Sequence, residues 1–177
     1  EFPEWETFIS TSTNTGFSVA QKNFSDKTVF YFPLDLSWIT KKVLRRTKPG
    51  CILLIELEIW PNFLVSAYKK NIPVIIVNGR ISNKSFMAYR TISHFSRTFR
   101  DSLTNEMNTY CARTEIDAQR FRDLGIPGKQ VFVTGTMKYD NIPTHIDENI
   151  SRELADLFRI KNDDLVLIGG STHDGEE

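Results

Sequence analysis

Short, almost wholly apolar runs alternate along the chain with longer stretches in which apolar positions recur every third or fourth residue. The runs at residues 7–11, 28–32, 51–54, 73–77, 109–113 and 130–134 show little polar alternation, which predicts strands buried on both faces of a parallel sheet. The periodic stretches at 17–23, 36–47, 62–70, 85–103 and 115–124 predict the intervening helices. Local chemistry agrees with this punctuation. Pro61 suits a first helical turn, where a missing N–H costs little, and Gly125 suits a helix stop. Asp35 is placed to cap the helix 36–47, and residues 85–103 read as one long helix with Phe86, Tyr89, Ile92 and Phe99 along its apolar stripe. Repetition of strand then helix predicts an α/β fold with a Rossmann-like, doubly wound parallel sheet over residues 1–140. Residues 141–149, which include Pro143 and lack periodicity, read as a linker. A helix at 150–158 and a strand at 164–169 then begin a second α/β domain over 150–177.

Composition narrows the functional classes. With 177 residues, 40% hydrophobic and 25% charged, the chain can build a sizeable core and is neither fibrous nor disordered in character. Lys plus Arg equals Asp plus Glu at 22 each, so no overall field draws it to nucleic acid, and nucleic acid is not an expected partner. Basic character is local. Lys41, Lys42, Arg45 and Arg46 pair at i,i+4 spacing on one helix, either as a solvated face or as a surface for anionic headgroups. Cys51 and Cys111 lack metal or redox spacing and read as reduced thiols, with no metal site expected. Glu1 opens the sequence and the final residues look like an unfinished helix start, so a fragment of a longer polypeptide is expected.

Candidate chemistry gathers where strands end. The run at 51–54 leads straight into Ile55-Glu56-Leu57-Glu58, two carboxylates at a strand's carboxyl end just before a helix, which is where open α/β sheets place ligands. Thr13 and Thr15 lie in a hydroxyl-rich turn after the first strand, either a capped helix start or an anion cradle. Asn78, Arg80, Ser82 and Ser85 follow the fourth strand, and Arg80 reads as a fork for phosphate or carboxylate, or as half of a loop-holding ion pair. Lys138 follows the sixth strand. Ser171, Thr172, His173 and Glu176 follow the run at 164–169. His94 has no ligand partner nearby in sequence and reads as structural or surface.

Taken together these clusters resemble the 3-deoxy-D-manno-octulosonic acid (Kdo) transferases of lipopolysaccharide synthesis. Glu56-Leu57-Glu58-Ile59-Trp60-Pro61-Asn62 stands where that family has ETE-x-WPN, and Asn78-Gly79-Arg80-Ile81-Ser82 where it has NARLS, with Ser85 and Tyr89 beyond. Val133-Thr134-Gly135-Thr136-Met137-Lys138-Tyr139-Asp140 is similar to VTGNLKFD, and Ser171-Thr172-His173-Asp174-Gly175-Glu176-Glu177 to STHEGEE. The resemblance implies one half of a GT-B fold and the beginning of the other. It implies transfer of Kdo from CMP-Kdo to the lipid A precursor, with inversion and without a cofactor or metal, at the cytoplasmic face of the bacterial inner membrane. It further implies that Glu56 and Lys138, with Glu58 next, stabilise the transition state. Thr13, Thr15, Asn78, Arg80 and Ser82 would bind the acceptor, and Ser171, Thr172, His173 and Glu176 would approach the donor. By the same alignment the general base and most of the CMP site lie outside this chain, which is expected to be inactive alone. Departures at Leu57, Gly79, Thr136 and Tyr139 bear on substrate preference. Two alternatives to this reading are another GT-B nucleotide-sugar transferase and a non-catalytic α/β domain that binds a membrane or partner.

Overall fold

The computed structural model describes residues 5–56, 59–140, 147–161 and 163–169. It divides into a larger unit, Glu1–Met137, and a smaller one, Lys138–Glu177. In the larger unit the predicted runs become β1 (Phe8–Thr11), β2 (Thr28–Tyr31), β3 (Ile52–Ile55), β4 (Val74–Gly79), β5 (Thr109–Ala112) and β6 (Val131–Val133). The helices between them are α1 (Asn14–Asn23), α2 (Ser37–Thr47), α3 (Pro61–Tyr68), α4 (Asn83–Phe95), α5 (Arg97–Leu103) and α6 (Glu115–Asp123). All ladders are parallel. Among the described residues they form two sheets, β1-β2 and β3-β4-β5-β6, rather than one continuous sheet.

Helices lie on opposite faces, α1 on one and α2 and α3 on the other, as a doubly wound fold requires. Adjacent residues of a strand point to opposite faces, and the end of β2 shows this directly. Tyr31 stacks on Phe17 of α1 with ring centroids 4.4 Å apart, whereas Phe32 meets Phe63 of α3 at 5.1 Å. The core lies on the α2/α3 side, where Leu44, Phe63, Leu64 and Ala67 bury Ile52, Leu54 and Ile76, and it continues through Phe99, Leu103, Tyr110 and Phe121. At the amino-terminal edge of the larger sheet, polar groups bond one another, although Gln130 Oε1 is buried without a partner. Asn108 accepts from the Val74 N–H (3.2 Å) and donates to the Ser102 carbonyl (2.8 Å), while Gln130 donates to the Asn108 carbonyl (2.9 Å).

Several expectations change. The single helix over 85–103 is two helices, because Ser96 takes extended angles (φ −124°, ψ 100°) and caps α5 by accepting from the Phe99 N–H at 3.2 Å. The break turns Phe99 into the core and leaves Phe95 outside it. Asp35 does not cap α2, whose N-terminal cap Leu36 supplies no side-chain hydrogen bond. In the smaller unit α7 (Glu148–Phe158) begins within the expected linker, with Asp147 accepting from the Asn149 N–H at 2.9 Å. Residues 164–169 form no strand, and Leu165, Leu167 and Ile168 are exposed. An extended segment needs a neighbour to satisfy its N–H and C=O groups, and none of the described residues pairs with it.

The two thiols, Cys51 and Cys111, are free, and burial raises the pKa of each. Less thiolate at neutral pH means slower attack on an electrophile. Iodoacetamide is therefore expected to alkylate both cysteines more slowly at pH 8 than a cysteine in an unstructured peptide. The rate should still be climbing where the peptide has reached its plateau; coincident pH profiles would contradict this.

Candidate active site

The carboxyl ends of β3 and β4 leave their ladder together. Ile55 pairs with Val77, and the Glu56 N–H then donates to the Val77 carbonyl at 2.9 Å. At that point both chains turn left-handed, Glu56 at φ 63° and Asn78 at φ 54°. For a residue with a Cβ this conformation costs about 1–2 kcal/mol, and such costs collect at functional sites. The turn leaves Glu56 exposed at the sheet edge and draws Asn78 inward, where its side-chain oxygen Oδ1 is buried without a hydrogen-bond partner.

Gly79 follows, where the space for a side chain is tight. A Cβ would lie 3.1 Å from the Phe121 ring, 3.2 Å from the Cys111 carbonyl oxygen and 3.2 Å from Ile76. That close contact holds the strand end against β5 and α6, and Arg80 emerges exposed beyond it, with no ion pair among the described residues. The loop after Arg80 is clamped from α6. Ile81 is wholly buried and donates its N–H to Asp117 Oδ1 at 2.9 Å, while Arg120 donates to the Ile81 carbonyl and to Asn83 Oδ1. Thr114 donates to Asp117 Oδ2 at 2.6 Å and caps α6 by accepting from the Asp117 N–H at 3.2 Å. Ser82 caps α4, accepting from the Ser85 N–H at 3.1 Å and sharing a hydroxyl contact with Ser85 at 2.9 Å.

The segment beyond the acidic pair is pinned from two sides. Tyr89 donates its hydroxyl to the Ile59 carbonyl at 3.0 Å. Asp35 caps α3 across the chain, its carboxylate accepting from the N–H groups of Asn62 (3.0 Å) and Phe63 (2.8 Å). The Asn62 side-chain amide returns a bond to the Asp35 carbonyl at 2.7 Å. Helix α3 starts at Trp60-Pro61 without a side-chain cap of its own, and so takes its acceptor from the loop after β2.

The other predicted residues fall in different places. Thr13 caps α1 by accepting from the Gly16 N–H at 3.0 Å, and Thr15 is exposed in the first turn. A Cβ at position 16 would come within 2.4 Å of Thr11 Oγ1 and 2.9 Å of Thr13 Oγ1, so a larger residue there requires those hydroxyls to turn aside. Lys138 belongs to the smaller unit, exposed in a short 3-10 turn, Met137–Tyr139. Glu58, Ser171, Thr172, His173 and Glu176 lie outside the described residues. Thus the structure brings Glu56 and Asn78 onto adjacent strand ends with Arg80 two residues on. His94 is exposed and packs its ring on Phe95 at 5.1 Å, and Lys41, Lys42, Arg45 and Arg46 are all exposed on α2. Among the described residues no three His, Cys, Asp or Glu side chains group as metal ligands, and no helix is long and apolar enough to cross a membrane.

Sequence reasoning missed Asp35, Asp117 and Arg120 as the groups that hold the site's loops. Thr114-Glu115-Ile116-Asp117 does carry the Thr-x-x-acid spacing of a helix start, but nothing local reveals that the same carboxylate reaches Ile81.

Comparison with known proteins bears on this arrangement. The family model described as 3-deoxy-D-manno-octulosonic-acid transferase (kdotransferase) matches residues 1–141. A 3-deoxy-D-manno-octulosonic acid transferase of Haemophilus influenzae is 28% identical, the match covering 100% of this chain and 40% of that protein. A bifunctional glycosyltransferase/methyltransferase of Fusobacterium nucleatum is 31% identical over 96% of this chain and 26% of its own length. The chain thus spans about two fifths of the first relative and a quarter of the second. Among solved structures, UDP-GlcNAc 2-epimerase from Neisseria meningitidis bound to UDP-GlcNAc aligns with a TM-score of 0.48 at 15% identity, covering 87% of this chain and 46% of that one.

Proposed function

The chain belongs to the 3-deoxy-D-manno-octulosonic acid transferase family, and from that membership we propose that it supplies the acceptor-side half of a Kdo transferase active site. The donor in this reading is CMP-Kdo, the acceptor is the lipid A precursor, and the reaction runs at the cytoplasmic face of the inner membrane without added metal or cofactor. The observation that carries the reading is Glu56, held by β4 in a left-handed turn at the carboxyl edge of the sheet, where α/β folds bind ligands. A sugar leaving its nucleotide develops positive charge near the anomeric carbon, and a fixed carboxylate beside it lowers the barrier while the cation Lys138 opposes charge on the leaving phosphate. Glu58 supports Glu56. Exposed Arg80, with Ser82, Thr13 and Thr15, binds acceptor phosphate, the buried Asn78 shaping the strand end beneath them, and Ser171, Thr172, His173 and Glu176 approach the donor.

The test is turnover. A full-length protein carrying this segment is expected to consume CMP-Kdo only in the presence of lipid A precursor and to release CMP in proportion to glycolipid formed. The 177-residue chain alone is expected to give no product. Preference for a different nucleotide sugar would overturn the donor assignment, and turnover by the short chain would overturn its role as half a site.

A further inference from the structure

The chain passes from Glu56 to α3 by way of Ile59, which is 4% exposed, and a main-chain carbonyl buried to that degree needs a donor. At a helix start the donor is the N–H four residues on. Here that N–H, on Phe63, is taken by the Asp35 carboxylate at 2.8 Å, as the Asn62 N–H is at 3.0 Å. The ladder of α3 begins one residue later, with the Leu64 N–H donating to the Trp60 carbonyl at 2.9 Å. The cap that starts the helix therefore leaves the Ile59 carbonyl to a side chain, and the hydroxyl of Tyr89 donates to it at 3.0 Å.

Tyr89 is itself held by α4 and by the core. It stands one helical turn after Ser85, whose N–H the Ser82 cap accepts. Its half-buried ring packs on the core and lies 6.3 Å from the Phe99 ring at a 44° tilt, so packing sets the ring and the ring sets the hydroxyl. Upstream of the acidic pair, the Glu56 N–H is tied to the Val77 carbonyl of β4 at 2.9 Å. Three residues later the chain is tied to α4. The same helix follows the loop that carries Arg80 and Ser82, but that loop has its own side-chain clamp from α6, through Asp117 and Arg120.

We infer that Tyr89 is a positioning residue for the proposed reaction: through the Ile59 carbonyl it fixes the downstream end of the acidic segment, and with it the place of the Glu56 carboxylate. This role rests on the function proposed for Glu56. Tyr89 acts through the main chain and not on the reacting atoms. A carboxylate that opposes charge developing in a transition state must be in place before the charge appears, and a displacement of about 1 Å can cost about a hundredfold in rate. The left-handed turn at Glu56 (φ 63°) gives the downstream anchor its importance, because surrounding contacts must hold a residue with a Cβ in that conformation. Removal of the hydroxyl leaves the start of α3 on Asp35 and releases the residue nearest the acidic pair. The loss should therefore fall on kcat. Acceptor affinity, which depends on the loop clamped from α6, should stay. The rival role for the hydroxyl is to satisfy a buried carbonyl and so to stabilise the fold and nothing more.

Tyr89→Phe in a full-length protein carrying this segment separates the two, since it keeps the ring on Phe99 and removes the hydroxyl. With CMP-Kdo and lipid A precursor as substrates, kcat is expected to fall about tenfold while both KM values stay within about twofold and Tm within about 3 °C. A second variant tests the route. In a Glu56→Gln background the same substitution should lower kcat by less than about twofold further, because the carboxylate it serves is already gone. Phe99→Leu disturbs the packing around Tyr89 and keeps the hydroxyl, so it should lower Tm more than Tyr89→Phe does and leave kcat within about twofold. Wild-type kcat in Tyr89→Phe overturns the inference while leaving the role of Glu56 intact, provided that Glu56→Gln alone is slow. Wild-type turnover by Glu56→Gln overturns both. A tenfold loss that persists in the Glu56→Gln background, an equal loss of kcat from Phe99→Leu, or a Tyr89→Phe protein that does not fold each assigns the hydroxyl another role and overturns the positioning of Glu56 by Tyr89.

Discussion

A full-length enzyme carrying Glu56→Gln is expected to turn over about 10²- to 10³-fold more slowly, with donor affinity nearly unchanged, because in the role proposed for Glu56 the lost interaction is one made with charge that develops in the transition state. The replacement isolates that interaction. Glutamine has the same shape and the same left-handed cost, and the backbone bond from residue 56 to the Val77 carbonyl does not involve the side chain. A turn at φ 63° also gives an independent check, since glycine is the residue that suits it. Glu56→Gly should relieve about 1 kcal/mol of backbone cost and raise stability, while lowering turnover at least as far as glutamine does. A position kept for shape alone would show no such opposition between stability and activity. Steady-state kinetics beside denaturant unfolding of the same variants measures both, and a Glu56→Gln enzyme with wild-type turnover would remove this carboxylate from the chemistry.

What the sequence makes legible here follows from how local the cause is. Alternation of apolar runs with three-to-four periodicity locates six strands and the helices between them, because burial of one face or two is written into consecutive side chains. Pro61 at the start of α3 and Gly125 at φ 91° after α6 are equally local, each set by one residue's own backbone preference. The misreadings share a different cause. Asp35 looks like a cap for the helix it precedes, but it accepts from Asn62 and Phe63, far along the chain, and only the packing of α2 on α3 brings them together. Ser96 sits in an unbroken apolar periodicity, yet its side chain competes for the Phe99 N–H and ends one helix to start another. Residues 164–169 have the composition of a buried strand, but a strand exists only with a partner, and composition carries no information about the neighbour. The candidate site divides in the same way. Glu56, Asn78 and Arg80 are visible as polar residues closing apolar runs, whereas the left-handed turns that set Glu56 outward and Asn78 inward follow from the geometry of two strands ending side by side.

Asp117→Ala is expected to lower the unfolding free energy by about 2–4 kcal/mol, although Asp117 lies in no apolar cluster and touches no candidate ligand group. Two costs combine. The Thr114 hydroxyl loses the carboxylate that accepts from it at 2.6 Å, a hydrogen bond of about 1 kcal/mol, while its cap on the residue 117 N–H remains. The Ile81 N–H, in a residue with no exposed surface, loses its only acceptor, and a buried donor left unsatisfied costs about 1–3 kcal/mol. Asp117→Asn keeps an oxygen for Ile81 and presents an amide where Thr114 needs an acceptor, so its cost should fall near 1 kcal/mol. The functional consequence separates a positioning role from a merely structural one. With the Ile81 N–H released, the side-chain clamp from α6 on the loop that carries Arg80 and Ser82 is reduced to Arg120, which bonds the Ile81 carbonyl and Asn83. Below its unfolding transition, a full-length Asp117→Ala enzyme is therefore expected to show an acceptor KM raised about tenfold with kcat changed far less, and Asp117→Asn should recover most of that loss. An unaltered acceptor KM in a folded Asp117→Ala enzyme would show that the Arg80 loop keeps its place without the α6 carboxylate.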